Sequence, residues 1–142
     1  MKDKLRTILK EDGLTIAIVL GLIVAYLILR TPGADIKTIS DVEAAITAGR
    51  PTVVQFYANN CSICLVSKPK VDQLERDLES QASLLRLNVR NDPGKALAYK
   101  WGVASIPTFF VFDGNGEQVY RRSGAPDVIA ITDAVAAVTS TE

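Results

Sequence analysis

The chain is expected to fold as an α/β domain, a mixed central sheet with helices on both faces, preceded by one N-terminal transmembrane helix. Three observations lead there. From about residue 36 onward, β-branched or aromatic runs alternate with segments of helical spacing, ending strand–strand–helix. Asp113-Gly114-Asn115-Gly116 is a hairpin turn between the last two strands, so the sheet has at least one antiparallel pair. From Gly13 to Leu29, seventeen residues carry no formal charge and place apolar side chains on every side of a helix.

The apolar run sets the domain organisation. At about 1.5 Å per residue it reaches roughly 25 Å, the short end for a bilayer crossing. Lys10 and Arg30 lie just beyond its ends, where they can snorkel to the headgroups, and Tyr26 sits where an interfacial aromatic is expected. A retained anchor is the favoured reading; a cleaved signal peptide and a buried core helix are the alternatives. Thr31-Pro32-Gly33-Ala34 is a poor cleavage site. Lys2, Lys4, Arg6 and Lys10 precede the run, against Arg30 and Lys37 after it, which places the N-terminus in the cytoplasm and the C-terminal domain outside, as in a bacterial single-pass protein. The division is then a cytoplasmic segment (1–12), an anchor in contact with lipid (13–30), a Pro- and Gly-containing linker (31–35) and one compact domain (36–142). Gly21 and Ala25 have a spacing that pairs membrane helices, but a single instance carries little weight.

Within the domain, Ser40-Asp41-Val42-Glu43 reads as a capping box opening a helix to about Ala48. Thr52–Tyr57 is a buried strand, followed by a turn at Asn59-Asn60. Cys61 to about Ser80 has helical spacing, with Val71, Leu74 and Leu78 on one stripe and Pro69 as an expected kink. Leu84–Val89 reads as a strand, and Asp92-Pro93 as the cap and first residue of the next helix. Thr108–Phe112 is a third strand, Gln118–Arg121 a fourth, and Pro126 to about Val138 the last helix.

Composition removes several functions. There is no histidine, which excludes Ser-His-Asp and Cys-His catalysis and any histidine-ligated metal or haem. Two cysteines cannot build a four-cysteine zinc site. Sixteen charges of each sign give no basic excess, so no nucleic-acid partner is expected. Both cysteines fall in Cys61-Ser62-Ile63-Cys64, at a strand-to-helix junction. A spacing of three on a first helical turn brings the sulfurs within disulfide reach. The helix N-terminus favours a thiolate at Cys61, the species that attacks disulfides, and leaves Cys64 as the resolving thiol. A purely structural disulfide across so short a loop stabilises by only ~2 kcal/mol. Half of a metal site shared between chains and unused core cysteines are the other readings. Redox exchange is preferred, with no metal and no cofactor beyond the disulfide itself.

At these residues the sequence resembles the thioredoxin family, over roughly residues 36–139. Val53-Val54-Gln55-Phe56-Tyr57-Ala58-Asn59-Asn60 runs into the C-x-x-C as the family's strand does; Pro69 is placed like its helix proline; Gly102-Val103-Ala104-Ser105-Ile106-Pro107-Thr108 is similar to its cis-proline segment; Gly124 precedes the last helix. The resemblance implies a thioredoxin-like fold, a cis bond at Pro107 and a backbone at Ile106 that pairs with an extended substrate. It also implies protein thiols or disulfides as substrates. Departures bear on the site. Ser62-Ile63 replaces Gly-Pro, Tyr57 and Asn60 stand where tryptophans are common, Leu65 replaces a lysine, and Gln55 replaces the aspartate thought to help deprotonate the resolving cysteine. Arg86 aligns with the lysine that partners that aspartate, so deprotonation of Cys64 would rely on water or on Arg86. The resulting expectation is a membrane-tethered, extracytoplasmic thiol–disulfide oxidoreductase. It is read as a reductase served by a membrane electron donor, with an oxidase or isomerase, or a non-catalytic binding module, as alternatives.

Overall fold

The computed structural model describes residues 13–29 and 36–140. The chain divides into two units, Met1–Asp35 and Ile36–Glu142. In the first, helix α1 runs Gly13–Leu29, the whole uncharged run. Ile18, Leu20, Leu22 and Val24 are exposed on it, so apolar side chains face outward on successive positions. Among the described residues no helix is long and apolar enough to cross a membrane; α1 has 17 residues. The flanking charges of residues 1–12 and 30–35 lie outside the described residues.

The second unit is built on a four-stranded sheet in the order β2-β1-β3-β4, with β1 at Thr52–Tyr57, β2 at Ser83–Asn88, β3 at Thr108–Phe112 and β4 at Gln118–Ser123. β1 pairs parallel with β2 and antiparallel with β3, and β3 pairs antiparallel with β4. The helices are α2 (Ile39–Ile46), α3 (Ser62–Leu78), α4 (Gly94–Lys100) and α5 (Val128–Thr139).

Side chains alternate across a strand, so the two central strands divide the core in two. Val54, Phe56, Phe110 and Phe112 face α2 and α4, meeting Val42, Ile46 and Leu97. Val53, Phe109 and Val111 face α3 and α5, meeting Val71, Leu74, Leu78, Ile131 and Val135. The expected mixed sheet with helices on both faces is therefore present. Trp101 closes the first core, edge-on to Phe56 and Phe110 at 5.6 and 5.5 Å. Alternation also places Gln55 on the α3 face with Val53, opposite Arg86 in the β1–β2 register.

Three local expectations are corrected. The capping box belongs to Thr38 and Asp41: the Thr38 side chain accepts from the Asp41 amide, the Asp41 carboxylate accepts from the Thr38 amide, and α2 starts at Ile39. Two overlapping Ser/Thr-x-x-acid patterns compete here, and the earlier one also lets Asp41 accept the Lys37 amide. Asp92 does not cap α4, whose N-cap is Pro93 without a side-chain bond; the Asp92–Pro93 peptide is cis. Helix α5 begins at Val128, because Asp127 rather than Pro126 supplies the cap, its carboxylate accepting from the Ala130 amide at 3.1 Å.

Candidate active site

Strand β1 ends at Tyr57, the chain turns at Asn59-Asn60, and Cys61 becomes the N-cap of α3. Its backbone is extended (φ −94°, ψ 111°), and its Sγ accepts the Cys64 amide at 3.2 Å, occupying one of the free donors that open a helix. The cysteines are joined as a disulfide with a Cα–Cα separation of 5.2 Å. Cys61 is half-buried at the surface, whereas Cys64 is 6% exposed. No acidic residue sits in the first turn of α3, so the positive end of the helix dipole is not neutralised locally.

Opposite the disulfide lies the loop that enters β3. Its Ile106–Pro107 peptide is cis, and the Ile106 carbonyl oxygen is 3.8 Å from Cys61 Sγ. The loop is tied down on several sides. Thr108 Oγ1 donates to the Ser105 carbonyl at 2.6 Å, with Ser123 Oγ 2.8 Å away. The Gly124 amide donates to the Pro107 carbonyl at 2.8 Å, at a φ of 99° that favours glycine. Further back, Arg121 donates to the Trp101 and Gly102 carbonyls and stacks its guanidinium over Phe110.

A cavity of about 230 Å³ adjoins the buried sulfur, lined by Gln55 and Tyr57 of β1, Ala58 and Asn59, Cys64, Leu65 and Lys68 of α3, and Arg86 of β2. A larger, open groove of about 520 Å³, lined among others by Lys70, Gln73, Arg122 and Ile129, contains no thiol. Two of the lining cations, Lys68 and Arg86, enter a chain of ion pairs. Lys68 Nζ meets Asp72 Oδ2 at 2.7 Å, Arg86 Nη1 meets Asp72 Oδ1 at 2.7 Å, and Arg86 Nη2 meets Glu75 Oε2. The hydrogen bond from Lys68, and then that from Arg86, hold the Asp72 carboxyl below the usual carboxylate range, so it stays anionic at neutral pH.

Of the residues singled out from the sequence, Gln55, Tyr57, Arg86 and Cys64 meet in this cavity, and the Ile106 carbonyl, joined by a cis bond to Pro107, approaches Cys61. Asn60, Ser62 and Ile63 are exposed and do not line it; Ile63, at 52% exposure, belongs to the outer surface beside the cysteines. Not anticipated were Asn59 and Lys68 on the cavity wall, Asp72 and Glu75 as ion-pair partners of Lys68 and Arg86, and Thr108 and Arg121 as hydrogen-bond partners of the loop before β3. The i, i+4 spacing of Lys68 and Asp72 was a readable signal; the rest depends on strand pairing.

This arrangement of a helix-capping cysteine, a buried second cysteine and a facing cis-proline permits thiol–disulfide exchange. Residues 36–137 match the Thioredoxin family model. The chain belongs to the thioredoxin family. It is 36% identical over 82 residues to a thioredoxin of Rickettsia bellii, covering 58% of this chain and 75% of that one. It is 34% identical over 76 residues to the chloroplastic thioredoxin-like protein HCF164 of Arabidopsis thaliana, a match spanning 54% of this chain but only 29% of that relative. Among solved structures it is similar to a mutant thioredoxin from Halobacterium salinarum, with a TM-score of 0.61 and 27% identity, covering 72% of this chain and 87% of that one. As a thioredoxin-family member with the Cys61–Cys64 pair, the protein is a thiol–disulfide oxidoreductase, and proteins of this family act on protein thiols and disulfides.

Proposed function

We propose that the protein is a membrane-tethered, extracytoplasmic reductase of protein disulfides. The observation that carries the reading is the asymmetry of the two sulfurs: Cys61 reaches the surface at a helix N-terminus, and Cys64 is buried one turn in. In the reduced protein the Cys61 thiolate attacks a substrate disulfide, forming a Cys61–substrate bond and releasing one substrate sulfur as a thiolate. Cys64 then loses its proton and attacks Cys61 Sγ. The Cys61–Cys64 disulfide forms, the second substrate sulfur leaves, and two protons from the protein thiols end on the substrate thiols. The substrate gains two electrons and the protein loses two.

Ile106 and the cis Pro107 present a fixed backbone edge beside Cys61, where an extended substrate segment can add as a strand. Ile63, Leu65 and Val66, all more than half exposed, surround the cysteines with apolar surface suited to a polypeptide. Tethering is supported by the uncharged run of α1, the cationic residues flanking it and the short segment that follows. Tethering in turn supports the reducing direction, because a domain held at a membrane can be recharged by a membrane-embedded electron donor.

The test uses the full chain in membranes. Cys61→Ala abolishes reduction of insulin disulfides, whereas Cys64→Ala accumulates mixed disulfides that retain the substrate on Cys61. Equal residual activity in the two variants, or no trapped species, overturns the reading.

A further inference from the structure

β4 is an edge strand, exposed at every residue but Tyr120. Exposed edge positions ordinarily tolerate substitution. Two of these are instead tied to the loop that carries Ile106. In the β3–β4 register Arg121 stands opposite Phe110 and Ser123 opposite Thr108, so both project from the same face of the ladder. Arg121 Nη2 donates to the Gly102 carbonyl at 2.6 Å and Nη1 to the Trp101 carbonyl at 3.3 Å, with the guanidinium carbon 5.1 Å from the centroid of the Phe110 ring. Those carbonyls follow the last turn of α4, where the chain leaves the helix at Gly102 with a φ of 61°. The guanidinium thus supplies donors to a helix end from outside the helix. Thr108 Oγ1 donates to the Ser105 carbonyl at 2.6 Å and lies 2.8 Å from Ser123 Oγ. A threonine hydroxyl has one proton, so Ser123 is the donor in the second contact. The Gly124 amide then holds the Pro107 carbonyl at 2.8 Å. One end of β4 and the residue after it grip the loop at its start, near its middle and at its end. From Val103 to Pro107 the chain has no helix or strand of its own, and the Ile106 carbonyl stands 3.8 Å from Cys61 Sγ.

Resting on the reading of Ile106 as the edge to which an extended substrate adds, we infer that Arg121 and Ser123 are positioning residues for polypeptide substrates, fixing that edge relative to Cys61 through the Trp101 and Gly102 carbonyls and through Thr108. Neither side chain hydrogen-bonds to a cysteine, so its effect depends on whether the substrate uses the edge. A polypeptide must pair with the Ile106 backbone while its disulfide meets Cys61, and an error of about 1 Å in such a geometry costs up to roughly 10²-fold in rate. A small disulfide without peptide groups needs only the sulfur.

The experiment mixes pre-reduced, full-length protein in detergent micelles, freed of reductant, with excess insulin or with excess bis(hydroxyethyl) disulfide. The second-order rate of thiol loss is read by quenching with an alkylating reagent. Arg121→Gln is expected to slow the insulin reaction about tenfold and the small disulfide by less than about twofold. Arg121→Lys keeps a cation that reaches one carbonyl and is expected to recover to within about threefold of the parent. Ser123→Ala leaves the Thr108–Ser105 bond in place and is expected to cost about threefold, with insulin alone. Arg122→Gln removes the same charge from the opposite face of β4, where Arg122 pairs with Asp127, and is expected to leave both rates unchanged. Equal slowing of both substrates by Arg121→Gln overturns the inference, because it places the effect on the cysteines or on the fold as a whole. An unchanged insulin rate in Arg121→Gln overturns it, as does a Lys variant no faster than the Gln variant. An equal insulin deficit in Arg122→Gln also overturns it, by making net charge the cause. Should circular dichroism show Arg121→Gln unfolded, Arg121→Lys and Ser123→Ala decide by the same comparison of substrates. A parent chain that reduces the small disulfide but not insulin sinks the reading of the substrate, and the inference with it; a parent active on both leaves the variants to judge the inference alone.

Discussion

Gln55 is 4% exposed, sits in β1 directly opposite Arg86 of β2, and lines the same cavity as Cys64 of α3. An amide there can donate and accept hydrogen bonds, but it neither holds a proton in reserve nor places a negative charge beside the resolving sulfur. Gln55→Asp supplies both. Burial raises the new carboxyl above its usual range, so it titrates nearer neutrality, and its anion opposes the Cys64 thiolate. The expected outcome is a second inflection in the pH dependence of insulin reduction, absent from the parent protein. A profile that keeps its shape would show that this position does not communicate with the sulfur. The same residue illustrates how side-chain identity and register act together. Its neutrality matters only because strand alternation turns it toward α3, with Tyr57 two residues on, rather than toward the aromatic core with Phe56.

At the level of elements, the site depends on how tightly β2 is joined to α4. A Cβ on Gly94 would stand 2.3 Å from the Asn88 carbonyl oxygen and 2.8 Å from its carbon, both backbone atoms that cannot rotate aside. Gly94→Ala is therefore expected to cost about 1–3 kcal/mol in urea unfolding by forcing the end of β2 and the start of α4 apart. A variant as stable as the parent would show that the junction can relax. β1 and β3 were legible residue for residue, because Thr52–Tyr57 and Thr108–Phe112 are nearly continuous runs of strand-forming residues buried on both faces. Caps were less legible. Thr38 and Ser40 both precede an acidic residue by three positions, and the choice between them turned on where Lys37 could also reach. The C-x-x-C was fully local and could be read directly. The cavity beside Cys64 was half legible: the resemblance pointed to Arg86 of β2, but nothing pointed to Lys68 of α3, and the parallel β1–α3–β2 unit is what brings both to one cavity. Arg121 was similarly hidden, since its hold on Trp101 and Gly102 spans about twenty residues of sequence.

For the whole molecule, a formal net charge of zero averages unlike parts. Lys2, Lys4, Arg6 and Lys10 crowd one end of the uncharged run, and the residues beyond it are slightly acidic. With the proposed orientation, protease added to intact spheroplasts digests the segment from residue 36 onward; a protected domain would overturn the outward placement. One consequence of the active-site geometry concerns the molecule as a thermodynamic unit. Cys61 Sγ is both the reacting atom and the acceptor of the first amide bond of α3. Folding and electron transfer therefore form a single closed cycle. Any preference of the helix terminus for thiolate over disulfide sulfur raises the stability of the reduced chain relative to the oxidised one, and by the same amount makes the reduction potential more positive than that of the unfolded chain, about 30 mV for each 1.4 kcal/mol. Melting the two redox forms side by side thus measures, with no substrate present, how strongly the fold inclines the enzyme toward accepting or donating electrons.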